Sequence, residues 1–415
     1  MNVRRRSAAA LAAIAVVGAA AAPAVAADPS PSAPASTPKG LYGTADPTYD
    51  GVWRQSLALL AQDTAGVKPA GQAVRWLTGQ QCANGAFASF RADPAADCDA
   101  EVMVDTNSTA VAVQALTALG GHEAVTGKAV DWLKSVQNED GGWSYAPGSA
   151  SEPNSTSLVV GALAAVGEQP EQVVKDGKSP YDALAGLALP CGGDTRGAFA
   201  FPDQEGKLSP NTDATAAGVL GVLGKGLVTS AAKTATEATC TATDQPSREQ
   251  AAANGAAYLA RAVADKGHLT SALGGSAEQP DYGNTADAVV ALAAQGGTAQ
   301  AQKPLRWLQQ NAGDWAEQSG PAAYAQLILA AHATGSDPRD FGGVDLVQQL
   351  NATGPAPQAA EDRGEQKNDD TDKAEKDEKA GDGSGFGVWW FVGVCLVAGI
   401  GIGILISGRK RKQRS

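Results

Sequence analysis

Two kinds of helical segment alternate along the body of the chain. Segments of the first kind are apolar on nearly every side, as in AVAVQALTALG, LVVGALAAVG, ATAAGVLGVLG and ADAVVALAAQG. A helix that is apolar all round is a buried helix. Segments of the second kind keep Lys, Arg, Asp and Gln on one face, so we expect them to lie outside. This alternation predicts an all-α fold with six inner and six outer helices joined by short hairpin-like loops.

Polar residues mark the places where the inner helices are expected to begin. Asp and Asn favour such positions because their side-chain oxygens accept hydrogen bonds from the free N–H groups of a first turn. The predicted inner starts lie near Asp50, Asp105, Asn154, Asn211, Asn284 and Gly320, and the outer starts near Pro69, Ala124, Ser179, Arg248, Gln302 and Gly343. Asp287 is expected to complete a capping box in the fifth inner helix.

The small residues of the inner segments favour a closed arrangement. Ala and Gly let helices approach closely around a ring, and six pairs that close on themselves need no polar end caps. We therefore predict an (α/α)6 toroid over residues 40–352, with an open solenoid as the alternative.

A short phrase recurs at the ends of outer helices: Gln, three residues, Gly, one residue, aromatic. Its three full copies are Gln81/Gly85/Phe87, Gln137/Gly141/Trp143 and Gln309/Gly313/Trp315. This phrase resembles the QW-type repeat of the squalene cyclase/prenyltransferase superfamily of α/α toroids. The inner segment DTNSTAVAVQAL also resembles the vitamin B12 carriers, transcobalamin and intrinsic factor. The resemblance implies a structural role: the Gln caps the outer helix, the Gly permits a tight turn, and the aromatic residue packs over the junction between repeats.

The two ends of the chain carry the patterns of a secreted, membrane-anchored protein. Residues 1–26 have a basic start, an apolar run and a small-residue cleavage site, which indicates a signal peptide. Residues 386–407 are uncharged and long enough to cross a bilayer, and a basic tail at 408–415 favours a cytoplasmic C-terminus. We expect a single-pass protein at the cell membrane with the body outside. Residues 27–39 and 353–385 are expected to be a disordered lead-in and a charged disordered stalk.

The numbers of charged residues and cysteines limit the kinds of partner and cofactor that we expect for this protein. The chain has 32 Lys and Arg against 44 Asp and Glu, and eight of the basic residues fall in the two terminal segments, which leaves 24 for the rest. So acidic a body repels phosphate backbones, and nucleic acid is excluded as a partner. Four of the five cysteines face an oxidising compartment; of the three possible pairings we favour Cys82–Cys98 and Cys191–Cys240, because each pair brackets one local excursion. The cysteine spacing of zinc sites is absent, so we expect neither a metal nor another cofactor.

Candidate chemistry is concentrated at the starting turns of the inner helices, which in a toroid all open at the same end. Convergent polar groups above an apolar funnel suit a medium-sized organic ligand. The predicted cavity rim consists of Asp50, Asp105, Asn107, Asn154, Ser155, Asn211, Asp213, Asn284, Asp287 and Tyr324. Any one of them is also explained as a helix cap. We expect few aromatic residues at this rim.

The resemblance does not extend to catalytic motifs. The body has no Asp-x-Asp-Asp run of the cyclases, no zinc ligands matching the protein prenyltransferases and no Cys-Gly-Glu-Gln run of thioester toroids. We therefore predict a surface protein that captures a ligand, cobalamin-like or another vitamin or cofactor, for delivery to a membrane transporter. The alternatives are a toroidal polysaccharide hydrolase or lyase that uses Asp213 and Asp287 as an acid–base pair, and a structural adhesin.

Overall fold

The fold is α-helical, as the alternating pattern predicts. The computed structural model describes residues 38–99, 101–193, 195–203, 205–233, 237–271 and 279–359. Within these ranges there are thirteen α-helices, a 3-10 helix over Pro170–Gln172 and three short antiparallel strand pairs. The predicted signal peptide, transmembrane segment and cytoplasmic tail lie outside the described residues. No helix inside them is long and apolar enough to cross a membrane.

Six helices form a closed inner ring. Each packs against the next one in this order, and the last packs against the first: α1 (Gly51–Thr64), α3 (Thr106–Leu119), α5 (Pro153–Ala165), α7 (Thr212–Val222), α9 (Tyr282–Gln295) and α12 (Pro321–Thr334). An open solenoid would leave the first and last helices apart, whereas here α1 packs on α12 as closely as on α3.

Six further helices pack outside this ring, each against the inner helix that precedes it. They are α2 (Gly71–Gly79), α4 (Glu123–Ser135), α6 (Pro180–Leu187), α8 (Arg248–Ala264), α10 (Thr298–Asn311) and α13 (Leu346–Ala352). A short extra helix, α11 (Gly313–Ser319), precedes α12 and was not predicted. The inner helices are buried on nearly all sides, whereas α2, α4 and α10 bury a single stripe. Apolar residues on every side therefore mark the inner layer.

Two copies of the recurrent Gln phrase join neighbouring repeats through main-chain hydrogen bonds. The Gln81 amide donates to the carbonyl oxygens of Gly85 (3.0 Å) and of Val125 in α4 (2.8 Å). The Gln137 amide donates in the same way to Gly141 (2.8 Å) and to Val173 (3.1 Å), which precedes α6. Each Gln thus ties the turn of its own repeat to the outer layer of the next repeat.

The glycines of these two copies have no tolerable substitute. Both have a positive φ, +96° at Gly85 and +87° at Gly141. A Cβ atom at Gly85 would overlap the carbonyl oxygen of Lys128, and one at Gly141 would overlap that of Ser179. The aromatic residues Phe87 and Trp143 are fully buried behind the turns. The expected structural role is therefore visible in both copies.

The third copy of the phrase has a different structure. Gly313 is not in the positive-φ region but is the first residue of α11, and Trp315 lies within that helix. Helix α10 ends at Asn311, and α11 begins at Gly313 after the single residue Ala312. Glycine conformations like those of the first two copies occur instead in two segments that resemble the phrase less closely, CGGDTRGAFAF at Gly197 (+81°) and ADKGHLTSAL at Gly267 (+78°).

Several predicted boundaries shift by a few residues. Glu152 caps α5, not Asn154, because Pro153 occupies the first helical position and the Glu152 carboxylate reaches the next free N–H groups. Asp281 caps α9, not Asn284. Asp287 therefore lies too far into α9 to form a capping box. The outer helices α10 and α13 begin at Thr298 and Leu346 rather than near Gln302 and Gly343.

Two disulfides stabilise the ring, and so do the hydrogen bonds of residues 353–358 with the first repeat, which we call the clasp. Cys82 pairs with Cys98 and Cys191 with Cys240, which confirms the favoured pairing. Beyond α13 the chain keeps contact with the first repeat: Gly43 donates to the Thr353 carbonyl (2.9 Å), and Gln358 donates to the Lys68 carbonyl (2.9 Å). The predicted start of a disordered stalk at 353 is therefore too early, because 353–358 cover the seam where the ring closes.

Candidate functional site

Four consecutive inner helices begin with the same local structure. In each of them the cap side chain accepts a hydrogen bond from the backbone N–H three residues later, as Asp105 does from Ser108 at 2.6 Å. The caps are Asp105, Glu152, Asn211 and Asp281. A short antiparallel strand pair leads into three of these helices, those capped by Asp105, Asn211 and Asp281.

A threonine four residues after each cap holds the preceding turn. Its hydroxyl oxygen accepts a hydrogen bond, 2.9–3.0 Å long, from the backbone N–H of the buried apolar residue after the turn. The pairs are Thr109 with Phe87, Thr156 with Trp143, Thr215 with Phe199 and Thr285 with Leu269. Sequence reasoning missed these threonines, although the spacing of cap, three residues and Thr is visible in all four repeats.

The side chains two residues after the caps meet their neighbours. The Asn154 amide of α5 donates to a carboxylate oxygen of Asp213 in α7 at 2.9 Å. Asn107 occupies the equivalent position in α3. The side-chain oxygens of both Asn107 and Asn154 are buried and have no hydrogen-bond partner, which costs about 1–3 kcal/mol for a buried polar group. The predicted rim residues Asn154 and Asp213 are thus brought together.

Asp287 lies further along α9, beyond the first turn. It accepts a hydrogen bond from the Gln326 amide of α12 (3.3 Å), and the Gln326 carbonyl oxygen is buried without a partner. Asp213 and Asp287 are deeply surrounded by protein, yet both keep part of their surface open to solvent. Gln326, like Glu152 and Asp281, was not among the predicted site residues.

Asp213, Asp287 and Glu152 form an acidic cluster. Their carboxyl groups have raised pKa values and therefore resist ionisation. Burial, followed by repulsion from Asp281, raises the pKa of Asp287 to about 7. Burial, then the charges of Asp287 and Glu152, raise the pKa of Asp213 well above its usual value. Burial also raises the pKa of Glu152, although its carboxylate accepts hydrogen bonds from backbone N–H groups that lower the pKa. Since a raised pKa marks a carboxyl group whose charge is poorly solvated, the group responds strongly to any cation or hydrogen-bond donor placed beside it.

Four aromatic side chains form a row next to the start of α9. The His268 and Trp307 rings are 4.3 Å apart, Tyr282 lies 5.0 Å from Trp307, and Tyr282 stacks on Trp315 with centroids 5.4 Å apart. All four are partly exposed. The expectation that the rim has few aromatic residues is therefore wrong at this position, because α11 carries Trp315 back over the start of α9.

Among the other predicted rim residues, Asp50, Asp105 and Asn284 have structural partners. Asp50 forms an ion pair with Arg54 at 3.0 Å. Asp105, with a pKa raised by burial to about 6, also accepts from Ser89. The Asn284 amide donates to Asp281 at 2.8 Å. Ser155 and Tyr324 are buried in first turns, with the Ser155 hydroxyl unpartnered.

One hollow of the described surface lies away from the acidic cluster. A hollow of about 350 Å³ lies between the end of α3 and the start of α4, lined by residues such as Leu116, His122 and Glu123. It is at the opposite end of the inner helices from the acidic cluster. Across the described parts of the chain, no three His, Cys, Asp or Glu side chains are placed to hold a metal ion.

Comparison with known proteins yields similarities of structure only. No family model and no curated protein matches the chain. A protein from Actinoplanes is 17% identical over 68% of this chain and 100% of that one, with a TM-score of 0.32. The ent-copalyl diphosphate synthase from Streptomyces platensis is 14% identical over 69% of this chain and 50% of that one (TM-score 0.45). A wild-type glycosidase is 14% identical, with coverages of 71% and 88% (TM-score 0.41). With similarities this low, function has to be argued from the residues of this chain.

Proposed function

We propose that this chain is a binding protein that captures an organic ligand rich in hydrogen-bond donors near the starting turns of α3, α5, α7, α9 and α12. The observation that carries this proposal is the set of unpartnered buried amide oxygens on Asn107, Asn154 and Gln326. Two of these amides hold Asp213 and Asp287. A protein keeps such acceptors unsatisfied at a cost, and a ligand that donates to them recovers it.

Protonated carboxyl groups extend the range of acceptable ligand groups. At neutral pH, Asp287 is close to half protonated, so it accepts from hydroxyl, amide or ammonium groups and also donates to a carbonyl oxygen. A cobalamin-like molecule or another vitamin carries such groups, in line with the resemblance of the inner helix to B12 carriers. We further propose a single-pass protein at the cell surface that hands its ligand to a membrane transporter.

A thermal-shift screen of the full-length chain tests the binding function. The library contains vitamins, corrinoids, lipids and oligosaccharides. A ligand at 100 times its dissociation constant raises the unfolding free energy by about 2.7 kcal/mol. We expect at least one compound to raise the melting temperature in the wild type and to do so less in Asn154→Leu, with Asn138→Leu as the control. A library without any stabilising compound would remove the case for a binding protein.

A second function, cleavage of polysaccharide, is favoured by a separate observation. The row of Trp307, Tyr282 and Trp315 offers faces on which sugar rings stack, and it leads to a carboxyl group whose pKa of about 7 suits a general acid. Asp213 is the second carboxyl group that such a reaction needs.

Release of reducing ends from a panel of polysaccharides separates the two functions. An enzyme loses turnover in Asp287→Asn while it still binds its polymer, because the substitution removes the proton and keeps the shape. A binding protein releases no product in either form. Absence of any product with the wild-type chain at pH 5–8 would dismiss the enzyme.

A further inference from the structure

The inner ring holds an excess of acidic side chains over basic ones at one end. Its starting turns present Asp213 and the caps Asp105, Glu152 and Asp281, and Asp287 lies just beyond the first turn of α9. The sequences of α3, α5, α7 and α9 contain no Lys, Arg or His. Within α1 and α12 the basic residues are Arg54, which is paired with Asp50, and His332, in the last turn of α12. No basic side chain of the ring is therefore left to balance Asp213 and Asp287.

Backbone groups do not balance these two carboxylates either. The caps accept hydrogen bonds from N–H groups at the positive ends of their helices, which offsets part of their charge. In contrast, Asp213 accepts from the Asn154 amide and Asp287 from the Gln326 amide, which are neutral donors.

The unpaired oxygen of the Asn154 side chain is a second, independent indication that a ligand binds beside this cluster. Asn154 is 5% exposed, its amide nitrogen is directed at Asp213, and its oxygen has no partner. An isolated buried amide would turn both of its ends to protein groups. Here the free acceptor lies beside a carboxylate, and together they offer oxygen atoms to a donor that carries positive charge.

The aromatic row lies close to the Gln326 side chain, with Gly283 between them. A Cβ atom on this glycine would lie 3.4 Å from the Gln326 oxygen and 3.8 Å from Cζ2 of Trp315. The glycine thus separates the side chain that holds Asp287 from the ring that ends the aromatic row. Aromatic faces attract cations as carboxylates do, so both features favour the same kind of ligand.

We propose that the ligand of this site is an organic cation whose ammonium-type nitrogen lies beside Asp213 and Asp287 and whose remaining, flatter part lies along Tyr282 and Trp315. The inference rests on the proposed binding function and names the chemical class of its ligand. An organic cation is preferred to a metal ion because, among the described residues, no group of three ligating side chains is suitably placed.

Isothermal titration of the full-length chain at pH 7.5 with two matched pairs of probes tests the proposal. Choline is compared with its neutral isostere 3,3-dimethylbutan-1-ol, and tryptamine with indole-3-ethanol. Because the members of a pair differ chiefly in charge, we expect each cation to bind at least about tenfold more tightly than its neutral partner. Tryptamine is expected to be the tighter of the two cations because its indole ring has the aromatic row to stack on.

Substitutions locate the effect within the ring. Asp213→Asn and Asp287→Asn keep the shape of the side chains and should each weaken cation binding by about tenfold or more. Asp63→Asn removes an exposed carboxylate at the other end of α1 and should leave binding unchanged. The circular dichroism spectrum and melting curve of each variant establish that it is folded. If one aspartate variant fails to fold, the other decides.

Each outcome bears on the proposal. Equal affinity for the charged and neutral members overturns the organic-cation class but leaves the binding function standing. Failure of both cations to bind at millimolar concentration also overturns it, and the library screen then judges the binding function by itself. Cation binding that survives both aspartate substitutions overturns the assigned position.

Discussion

At the scale of single residues, the site depends on the difference between capping carboxylates and those that do not cap. Glu152 and Asp281 serve first turns, whereas Asp213 and Asp287 are held by amide side chains from neighbouring helices. The sequence pattern identified Asp213 and Asp287 as polar residues near helix starts. It could not identify Gln326 as a partner, because that contact joins α9 to α12 and depends on the closed ring.

Asp287 makes the stability of the protein depend on pH. Its pKa is 3.8 in an ordinary setting and about 7 in the folded chain, so the folded form binds the proton more tightly. Stability contributed by the protonated group is therefore lost as pH rises from about 4 to 7. We expect Asp287→Asn to be more stable than the wild type at pH 8, by roughly 2 kcal/mol, and nearly equal to it at pH 4.

Urea unfolding at the two pH values measures this difference. Asp131→Asn, an exposed carboxylate on the outer helix α4, is the control and should change little at either pH. A wild type that is at least as stable as Asp287→Asn at pH 8 would show that the Asp287 charge is well compensated.

The threonines after the caps are expected to be sensitive to loss of their hydroxyl group. Thr156 accepts from the backbone N–H of buried Trp143, and its own hydroxyl donates to the Trp143 carbonyl. Thr156→Val leaves the Trp143 N–H unpaired, whereas the Trp143 carbonyl still accepts from the Glu152 N–H, and the loss should cost about 1–3 kcal/mol in unfolding free energy. Thr156→Ser keeps the hydroxyl group and should cost less. Equal losses in urea unfolding of the two variants would rule out the hydrogen bonds as the cause.

At the scale of elements, the repeat is a helix pair joined to the next pair by a glutamine. The first two copies of the phrase were predictable, because a Gly followed by a buried aromatic residue requires a tight turn. The third was not, since Gly313 is equally compatible with a helix start and only the surrounding chain decides. The cap of α5 was misassigned for a similar local reason: Asn154 is a good cap by type, but Pro153 before it begins the helix.

Gly141 and Gly148 provide a matched test of the junction. Both have φ of +87°, but only at Gly141 would a side chain overlap another part of the protein, the Ser179 carbonyl of the next repeat. Gly148→Ala should therefore cost about 1 kcal/mol of unfolding free energy, for its backbone conformation alone. Gly141→Ala should cost at least about 2 kcal/mol more. Melting curves that show similar losses would mean that the junction is not tightly packed.

At the scale of the whole molecule, the order of helices around the ring follows from composition. Ala-rich segments that are apolar on nearly every side had to be inner helices, and six of them packed side by side close the circle. The clasp after α13 was hidden in the sequence, because 353–358 read as the start of a polar stalk. There the Tyr42 hydroxyl donates to the Pro355 carbonyl and the Gln358 amide to the Pro69 carbonyl.

Two truncated chains measure what this clasp contributes. A chain that ends at Ala352 loses the hydrogen bonds of Thr353, Pro355 and Gln358, whereas one that ends at Gln358 retains them. At about 1 kcal/mol for each hydrogen bond, we expect the shorter chain to melt several degrees lower. Identical melting temperatures would show that α13 alone closes the ring.

We propose that the first turns of the inner helices form one acidic binding site around Asp213 and Asp287. A crystal structure of the chain with bound tryptamine shows whether the ligand occupies this site. We expect density for the ligand with its nitrogen within about 3.2 Å of a carboxylate oxygen of Asp213 or Asp287. Density confined to another surface, such as the hollow beside His122, would contradict it.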